Sequence, residues 1–463
     1  MASLMRGAKA NILDAVGGTP IVKLNSLGSH TKAEIYVKCE FLNPGGSMKD
    51  RIAINMIDAA EARGDIKPGG TIVEGTSGNT GMGLALVGAV RGYKCVFVMQ
   101  DKQSQEKIQA LRAVGAKVVI CPTDVEPEDP RSYYSVSRRI AEETPNAYYV
   151  NQYGNPANPE AHYKTTGPEI WEQTGGEFDV FVAGLGTGGT ITGCGRYFRE
   201  KKPTIKMVGV DPVGSLYYDY FKTGKLTAAH PYKVEGIGED FIPTTIDFEF
   251  IDEVVRVNDK ECFVAAREMV RQEGILCGGS CGASVAGAIK YAEMTNKSER
   301  ILAHLPDTAY RYLSKYLDDD WMRENGYMGP EPGMGRVSDL LADKAGSDVQ
   351  SCQAQDSVRD VIGTMKKHGI SQVPVLDGAK IKGIVVERDL LDFLATGEAT
   401  LDAAISDLVE TNFASVDPDT PIATVSGLFS NRAHAVLVLR DRQIAGIITQ
   451  IDLIEFFAGR LAA

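Results

Sequence analysis

The sequence predicts an α/β protein with open, mainly parallel sheets, followed by a pair of smaller repeated units. Between residues 11 and 325, short apolar runs alternate with longer stretches of helical periodicity, which is the pattern of parallel strands joined by crossover helices. Near the C-terminus the apolar run at 373–376 recurs at 436–439, and the Asp-Leu pair at 389–390 recurs at 452–453. Because one such unit cannot bury its own core, the two copies are expected to pack together.

Composition narrows the class of ligand. The 463 residues include 49 Lys and Arg against 61 Asp and Glu, a net charge of -12, so neither nucleic acid nor an anionic membrane is an expected partner. The N-terminus has no apolar segment of signal-peptide length, and the longest apolar run, 81–90, is too short to span a bilayer. The eight cysteines are scattered, without the two-residue gap of zinc or redox motifs. We expect a cytoplasmic protein with free thiols, no metal site and a small-molecule substrate.

Six apolar runs in the first 325 residues are predicted to form strands, namely 34–40, 71–74, 95–99, 117–121, 180–183 and 206–210. In sheets of this kind, ligands bind beyond the carboxyl ends of the strands. The loops that follow the strands are therefore where functional residues are expected.

The segment 43–51 follows the first predicted strand. Pro44 and two glycines should end that strand, Ser47 can cap the next helix, and Lys49 then falls in its first turn. The partial positive charge at a helix N-terminus favours a neutral lysine amine, which is the form that attacks a carbonyl. Lys49 is thus a candidate for covalent attachment to a carbonyl group, and the alternative is an ordinary surface lysine near a helix start.

Residues 74–81 close a strand and open an apolar helix. Three hydroxyl side chains, an amide and the N–H groups of a helix N-terminus make this loop a receptor for a carboxylate, such as that of an amino-acid substrate. The four side chains are those of Thr76, Ser77, Asn79 and Thr80. A polar capping turn without a ligand is the alternative.

The glycine-rich loop 184–190 follows another strand, and its backbone together with the hydroxyls of Thr187 and Thr190 suits a phosphate. Its glycines also satisfy a dinucleotide-binding pattern, with Asp211 at the position of a ribose-binding acid. That alternative, a nicotinamide enzyme, is disfavoured because the loop lies deep in the domain and Lys49 would have no role. For Ser280, in a third glycine-rich loop, the pattern alone favours a simple helix N-cap.

Together these segments resemble the fold-type-II pyridoxal-phosphate enzymes, which share the tryptophan synthase beta-like fold, and specifically the cysteine synthases and cystathionine beta-synthases. The matching motifs occur in the family's order and are Gly-Gly-Ser-Met-Lys-Asp-Arg at 45–51, Thr-Ser-Gly-Asn-Thr-Gly at 76–81, Gly-Thr-Gly-Gly-Thr at 186–190 and Gly-Gly-Ser at 278–280. The resemblance covers nearly all of residues 8–325 and implies a pyridoxal 5'-phosphate cofactor.

The resemblance also implies a role for each matching residue. Lys49 corresponds to the lysine that binds the cofactor and then acts as general base, Asn79 to the partner of the cofactor's ring hydroxyl, and Ser280 to the partner of its pyridine nitrogen. A neutral serine moderates the cofactor's electron sink, which suits replacement of a β substituent. The phosphate cradle corresponds to Gly186, Thr187, Gly188, Gly189 and Thr190. The implied substrate contacts are Thr76, Ser77, Asn79, Thr80, Gln152, Tyr153 and Gly236, of which Tyr153 is also an implied catalytic residue.

Two segments separate the close relatives. Gln152-Tyr153 and the segment 234–243 are more similar to the cystathionine beta-synthases than to the cysteine synthases, which usually have phenylalanine after the glutamine. The implied reaction condenses homocysteine with serine or O-acetylserine to cystathionine, with hydrogen sulfide release as a side reaction, and a cysteine synthase is the alternative. Glu239 stands where the animal enzymes have tyrosine, which leaves the choice between serine and O-acetylserine open. The haem-binding extension of the animal enzymes has no counterpart here, so no haem is expected, and the family implies a homodimer or a higher homo-oligomer.

After Trp321 the composition changes. Glycine and proline dominate the next segment, so residues 326–336 are predicted to be a linker between a catalytic domain, 1–325, and two repeats, 337–396 and 397–463. The repeats resemble the paired CBS repeats of a regulatory Bateman module, which binds adenosyl ligands.

The ribose-binding pattern of these modules is a Ser or Thr three residues before an Asp. The pattern is intact at Thr449 and Asp452, whereas the first copy has Val386 before Asp389. S-adenosylmethionine bound at Asp452 is the implied effector, and a purely structural or dimer-forming module is the alternative. A catalytically silent adenosyl sensor would be a different class of protein, and the intact Lys49 argues against it.

Overall fold

The computed structural model of the chain describes residues 4–101, 103–123, 125, 129–328, 335–344, 349–378, 380–395, 400–411, 413–430, 435–440 and 443–461. Contacts divide the chain into two compact units, Met1–Asp318 and Asp319–Ala463. The division falls slightly before residue 325, the predicted end of the catalytic domain. Residues 329–334 of the predicted linker and the predicted boundary between 396 and 397 lie outside the described residues.

Two sheets form the first unit. Its strands are β1 (Ile21–Lys23), β2 (Glu34–Cys39), β3 (Thr71–Gly75), β4 (Lys94–Gln100), β5 (Lys117–Cys121), β6 (Ala147–Tyr149), β7 (Val180–Gly184), β8 (Lys206–Pro212), β9 (Glu253–Val257) and β10 (Arg300–Leu305). The larger sheet has the order β1-β2-β10-β7-β8-β9, and the smaller one has the order β5-β4-β3-β6. Every neighbouring pair is parallel except β1 with β2, so the predicted mainly parallel sheets are confirmed. All six predicted strands are present, and the periodicity missed β1, β6, β9 and β10.

Helices pack on these sheets. They are α1 (Lys49–Arg63), α2 (Asn79–Arg91), α3 (Gln105–Ala113), α4 (Tyr133–Glu143), α5 (Ala157–Ala161), α6 (Gly167–Thr174), α7 (Gly189–Lys201), α8 (Tyr217–Thr223), α9 (Asp259–Glu273) and α10 (Gly279–Thr295), with a π-helical turn at His162–Thr166. One core packs Ile52 of α1 and Leu84 of α2 with Ile72 of β3 and Phe97 of β4. Among the residues that the structure describes, no helix has the length and apolar character needed to cross a membrane.

The larger sheet positions the site. Its parallel strands β2, β7 and β10 end at one edge, and the chain continues from them into Lys49, the loop 184–190 and Asp307, respectively. The carboxyl edge of a parallel sheet is where such folds bind ligands. The packing of the sheet therefore brings together loops that are far apart in the chain.

The second unit contains two three-stranded sheets. Its strands are β11 (Cys352–Gln353), β12 (Gln372–Asp377), β13 (Lys380–Val386), β14 (Ala414–Val416), β15 (Val436–Arg440) and β16 (Gln443–Ile448). Its helices are α11 (Asp319–Glu324), α12 (Val337–Asp343), α13 (Val358–His368), α14 (Glu387–Ala395), α15 (Ile422–Ser430) and α16 (Gln450–Leu461). The sheet orders are β11-β12-β13 and β14-β15-β16.

The two copies of the repeat share their irregularities and their core. The strand register shifts between Val375 and Leu376 in the first copy and between Val438 and Leu439 in the second, which are matching positions. Buried residues of both copies form one cluster, made of Ile384, Val386, Ala435 and Leu437. The prediction that the copies pack together is confirmed.

Candidate active site

Lys49 is the first residue of α1, as the sequence predicts. The N-cap position belongs to Met48 and not to Ser47, although the Ser47 Oγ accepts a 3.3 Å hydrogen bond from the Lys49 N–H. The Met48 N–H donates to the Pro306 carbonyl at 2.8 Å, which fixes the start of α1 to the segment after β10. Helix α2 crosses α1 closely, since a Cβ on Gly83 would lie 2.8 Å from the Lys49 carbonyl oxygen.

Burial lowers the pKa of the Lys49 amine to about 8, and the carboxylates of Glu239, Asp307 and Glu74 oppose this shift in that order. The sequence predicts the same direction from the charge of the helix N-terminus, but the main cause is the loss of water around the amine. The residue as a whole keeps intermediate exposure, although its amine is largely removed from water. A lysine of this kind can act as nucleophile and as base near neutral pH.

The predicted carboxylate-binding loop joins β3 to α2. The Thr76 Oγ1 accepts hydrogen bonds from the Gly78 and Gly81 N–H groups at 3.0 and 3.2 Å, which leaves its own proton for a ligand. The Thr80 hydroxyl donates to the Gln152 Oε1 at 2.6 Å. Two of the predicted substrate residues are thus in contact, and their bond holds the loop in place.

Glu74, in the strand β3 that precedes this loop, joins it to the segment around Gln152. Its carboxylate accepts hydrogen bonds from the Asn151 and Gln152 N–H groups at 2.7 and 3.1 Å. Burial raises the pKa of Glu74 to about 8, while those two N–H groups and Lys49 oppose the shift. Ser77 stays partly exposed in the same loop.

Asn79 and Ser280 meet at a carboxylate that the sequence patterns missed. The Asn79 Nδ2 donates to the Asp307 Oδ2 at 2.9 Å, and the Ser280 Oγ donates to the Asp307 Oδ1 at 3.3 Å. The Tyr312 hydroxyl donates to the Asp307 Oδ2 at 2.6 Å, and Arg311 donates to the Asn79 Oδ1. The two residues matched to the cofactor ring are therefore held by one buried acid. Asp307 follows β10, so recognising that strand would have pointed to it.

The predicted phosphate loop joins β7 to α7. Gly188 has a φ of 76°, and a Cβ on it would lie 2.2 Å from the Ile246 Cβ, so this turn requires glycine. The Thr187 Oγ1 accepts a 3.1 Å hydrogen bond from the Asn158 Nδ2, and the Thr190 Oγ1 lies 3.2 Å from the His162 Nε2. Beyond them, the first turn of α7 offers N–H groups that no helical carbonyl can reach.

Asp211 does not take the position that the dinucleotide alternative requires. It is fully buried, and its Oδ2 accepts a 2.8 Å hydrogen bond from the Tyr218 N–H at the start of α8. Burial raises the pKa of Asp211 to about 6. Its contact with α8 is structural, which weakens the nicotinamide interpretation.

Tyr153 and Gly236 border the site. The Tyr153 ring packs edge-on against Phe241, with ring centroids 5.3 Å apart. Burial raises the pKa of Tyr153 well above its ordinary value, and its hydroxyl is hydrogen-bonded to the Glu239 carboxylate, so the phenol keeps its proton. Gly236 has a φ of 86°, and a Cβ on it would lie 3.8 Å from the Ser280 Oγ.

These groups fit pyridoxal 5'-phosphate. The loop 186–190 suits a phosphate, the Lys49 amine suits an aldehyde, and Asn79 and Ser280 carry polar atoms suited to a ring hydroxyl and a ring nitrogen. The glycines keep the space narrow, since a Cβ on Gly186 would lie 2.8 Å from a backbone carbonyl oxygen. Within the part of the chain that the structure describes, no group of His, Cys, Asp or Glu is arranged to hold a metal ion.

The predicted adenosyl site lies at the start of α16. The Thr449 N–H and hydroxyl both donate to the Asp452 Oδ2 at 2.7 Å, so the two predicted residues are in contact. The Asp452 Oδ1 lies 2.6 Å from the Lys344 Nζ, which also donates to the Ile447 carbonyl at 3.2 Å. Lys344, which the sequence pattern did not indicate, thus forms an ion pair with the second carboxylate oxygen of Asp452. In the first copy, Val386 is buried in the core.

Comparisons with known proteins agree with the geometry. Residues 12–307 match the family described as pyridoxal-phosphate dependent enzyme, and residues 337–396 and 405–459 match the CBS domain. The cystathionine beta-synthase of Dictyostelium discoideum is 38% identical, over 96% of this chain and 92% of its own length.

Two solved structures resemble the larger part of the chain. An O-acetylserine dependent cystathionine beta-synthase from Helicobacter pylori has a TM-score of 0.61 and 39% identity, covering 66% of this chain and 98% of that one. A hydrogen sulfide-producing enzyme from Fusobacterium nucleatum has a TM-score of 0.62 and 36% identity, covering 66% of this chain and 100% of that one. With the family matches, these similarities show that the chain belongs to the cystathionine beta-synthase family of pyridoxal-phosphate-dependent enzymes and carries two CBS domains.

Proposed function

We propose that this protein replaces the β substituent of serine or O-acetylserine with the thiol sulfur of homocysteine and so makes cystathionine. The observation that carries the proposal is the position of the Lys49 amine at the sheet edge where the predicted phosphate loop also begins. Burial lowers the pKa of this amine to about 8. The proposal is supported by the cystathionine beta-synthase of Dictyostelium discoideum, a relative over nearly the whole chain.

Pyridoxal phosphate, when bound, supplies an electron sink that acidifies the α proton of an amino acid. The N–H groups of the loop 186–190 would bind its phosphate, and Asn79 and Ser280 would contact its ring. Lys49 takes the α proton and returns one, since a pKa near 8 allows both directions at neutral pH.

The loop before α2 orients the substrate. The Thr76 hydroxyl and Ser77, with the first N–H groups of α2, beginning with that of Asn79, would bind the substrate carboxylate. The hydrogen bond from Thr80 to Gln152 holds the loop against the segment that follows β6. Tyr153, kept protonated by burial, would offer a neutral hydroxyl at the border of the site, beside Gly236.

Product analysis tests the proposal. Homocysteine with serine or O-acetylserine should give cystathionine, and Lys49→Ala should reduce the rate by about 10²–10⁴-fold because the base is lost. The matched control is Lys23→Ala, which removes a half-exposed lysine of the same unit and should leave the rate unchanged. A Lys49→Ala variant that keeps its rate would refute the proposal.

The same assay separates the alternative. If sulfide and O-acetylserine gave cysteine faster than homocysteine gave cystathionine, the chain would be a cysteine synthase. Hydrogen sulfide released from cysteine and homocysteine would show the side reaction that the resemblance implies.

The C-terminal module is proposed to bind S-adenosylmethionine at Asp452. The contact of Thr449 with Asp452 supports this assignment, because a carboxylate fixed in this way can accept both ribose hydroxyls. Titration calorimetry should detect binding to the wild-type protein and none to Asp452→Asn. A cytoplasmic location, a homo-oligomeric state and the absence of haem stay predictions.

A further inference from the structure

Glu235, next to the predicted substrate contact Gly236, is held by donors from two sides of the site. Its carboxylate forms ion pairs with Lys107 of α3 and with Lys315, which follows β10. The side chains of Glu235 and Lys107 are only 11% and 2% exposed. Burial disfavours the charge on Glu235, but the two lysines outweigh it and keep the pKa of the carboxyl below its ordinary value. The carboxylate is therefore ionised at neutral pH and accepts from both lysines.

Gln103 connects this carboxylate to the predicted substrate loop. Its side-chain amide lies between two acceptors, so the nitrogen faces both and donates to the Glu235 Oε2 at 2.8 Å and to the Ser77 carbonyl at 3.2 Å. Gln103 is itself buried, and a buried amide that lost one of these acceptors would be left with an unsatisfied donor. The position of the Ser77 backbone is therefore tied to Glu235.

Lys107 makes a second connection to the same loop. Its aliphatic part packs against Gly78, since a Cβ on that residue would lie 3.0 Å from the Lys107 Cδ. Gly78 has a φ of 123° and is the N-cap residue of α2, so it places the first N–H groups of that helix. The Lys107 Nζ lies 4.5 Å from the centroid of the Tyr312 ring. The turn at 77–78 is thus fixed at two points, and both connections end at Glu235.

We propose that Glu235 is a positioning residue that holds the loop 76–79 in the shape that receives the carboxylate of the amino-acid substrate; this inference rests on the proposed function. Glu235 acts through Gln103 and Lys107 and does not need to touch the substrate. A preformed loop binds more tightly than one that its ligand must order, because ordering costs conformational entropy. The Lys49 amine and the loop 186–190 lie on other elements, so the cofactor should bind equally well without this carboxylate.

The test is titration of the holoenzyme with serine and with O-acetylserine, followed by cofactor absorbance in the absence of homocysteine. Glu235→Gln replaces a charged acceptor with an amide that cannot accept from both lysines, so the dissociation constant of the amino acid should rise about tenfold. The KM for the amino acid should rise with it, while kcat at saturation and the cofactor content stay within about twofold. The matched control is Glu253→Gln, which loses a partly exposed ion pair with Lys222 in the same unit and should leave these values unchanged.

A second variant tests the route of the effect. Gln103→Met leaves Glu235 with both lysines but removes the connection to Ser77, and it should raise the dissociation constant about 3- to 10-fold. Because both changes break the same connection, the double variant should lose less affinity than the product of the two separate losses. Losses that multiply fully would contradict the route through Gln103.

The possible results are distinct. An unchanged dissociation constant in Glu235→Gln overturns the inference, and so does a fall in kcat and cofactor content at constant KM, which would mark a merely structural role. If Glu235→Gln does not fold, an unchanged dissociation constant in Gln103→Met overturns the inference equally. A wild-type protein that takes up no cofactor, or whose cofactor absorbance responds to neither amino acid, would instead overturn the proposed function before any variant is measured.

Discussion

Lys49 owes its chemistry to a balance between burial and charge. Loss of hydration favours the neutral amine, whereas Glu239, Asp307 and Glu74 favour the ammonium form. Glu239 is the largest of these opposing charges, and it also raises the pKa of Tyr153 at the border of the site. A change at residue 239 is therefore expected to alter the pKa of Lys49.

Uptake of pyridoxal phosphate by the apoprotein should follow this pKa. With a pKa of about 8, about a tenth of the Lys49 amines are neutral at pH 7. We expect the uptake rate to rise about tenfold from pH 6 to pH 7 and to level off above pH 8, as the ammonium form is exhausted. Glu239→Gln should shift the midpoint to lower pH because a charge that favours the ammonium is lost, while Glu239→Asp should not. A rate that kept rising to pH 10 would show that the neutral Lys49 amine does not limit uptake.

At the scale of elements, α1 is held by a buried ion network. The Arg51 Nε and Nη2 donate to the two Glu40 carboxylate oxygens at 2.7 and 2.8 Å, and the Nη2 also donates to Glu169 at 2.9 Å. Lys38, fully buried, donates to the same Glu169. The network joins β2, α1 and α6, and so it fixes the helix that begins with Lys49.

Arg51→Met should destabilise the protein by about 3–5 kcal/mol, because it leaves the Glu40 charge buried without its partner. Arg63→Met, in the same helix but half exposed, should change the stability little. Burial opposes the charge on Glu40, but Arg51 outweighs it and keeps the pKa of that carboxyl well below its ordinary value. The ion pair therefore contributes fully above the unfolded pKa of about 4.5 and progressively less below it. Urea unfolding at pH 7 and pH 4 measures both effects, and equal losses in the two variants would contradict this role.

The turn before α16 is a second functional element. Lys344, at the end of α12, forms an ion pair with the carboxylate that is proposed to bind ribose. Lys344→Met should tighten S-adenosylmethionine binding about 2- to 10-fold, because the ligand no longer displaces a partly exposed ion pair. Lys366→Met, on the exposed face of α13, serves as control. Weaker binding in the Lys344 variant, measured by calorimetry, would show that Lys344 contacts the ligand instead of competing with it.

The parts of the site that the sequence predicted are those that depend on local rules. Lys49 and the loops at 76–81 and 186–190 follow strands and open helices, and glycine, proline and cap residues mark such places. The contact of Asn79 with Asp307 spans 228 residues of chain, so no local pattern can reveal it. Strand β10 is apolar and buried along most of its length, and periodicity cannot distinguish such a run from a helix segment.

At the scale of the whole molecule, the two units have separate cores. The change in composition and the internal repeat predicted this organisation, because both are properties of the sequence itself. Neither the composition nor the repeat indicates that the division falls at residue 318. Helix α11 belongs to the second unit through its contacts with α15, and these are tertiary contacts that composition does not record.

The most direct test of the central claim, that the chain is a pyridoxal-phosphate enzyme working through Lys49, is borohydride reduction of the holoenzyme followed by peptide mass mapping. Reduction makes the bond between a lysine amine and the cofactor permanent. We expect a pyridoxyl phosphate adduct on the peptide that contains Lys49 and its absence from Lys49→Ala. An adduct on another lysine, or none on a protein that still makes cystathionine, would contradict it.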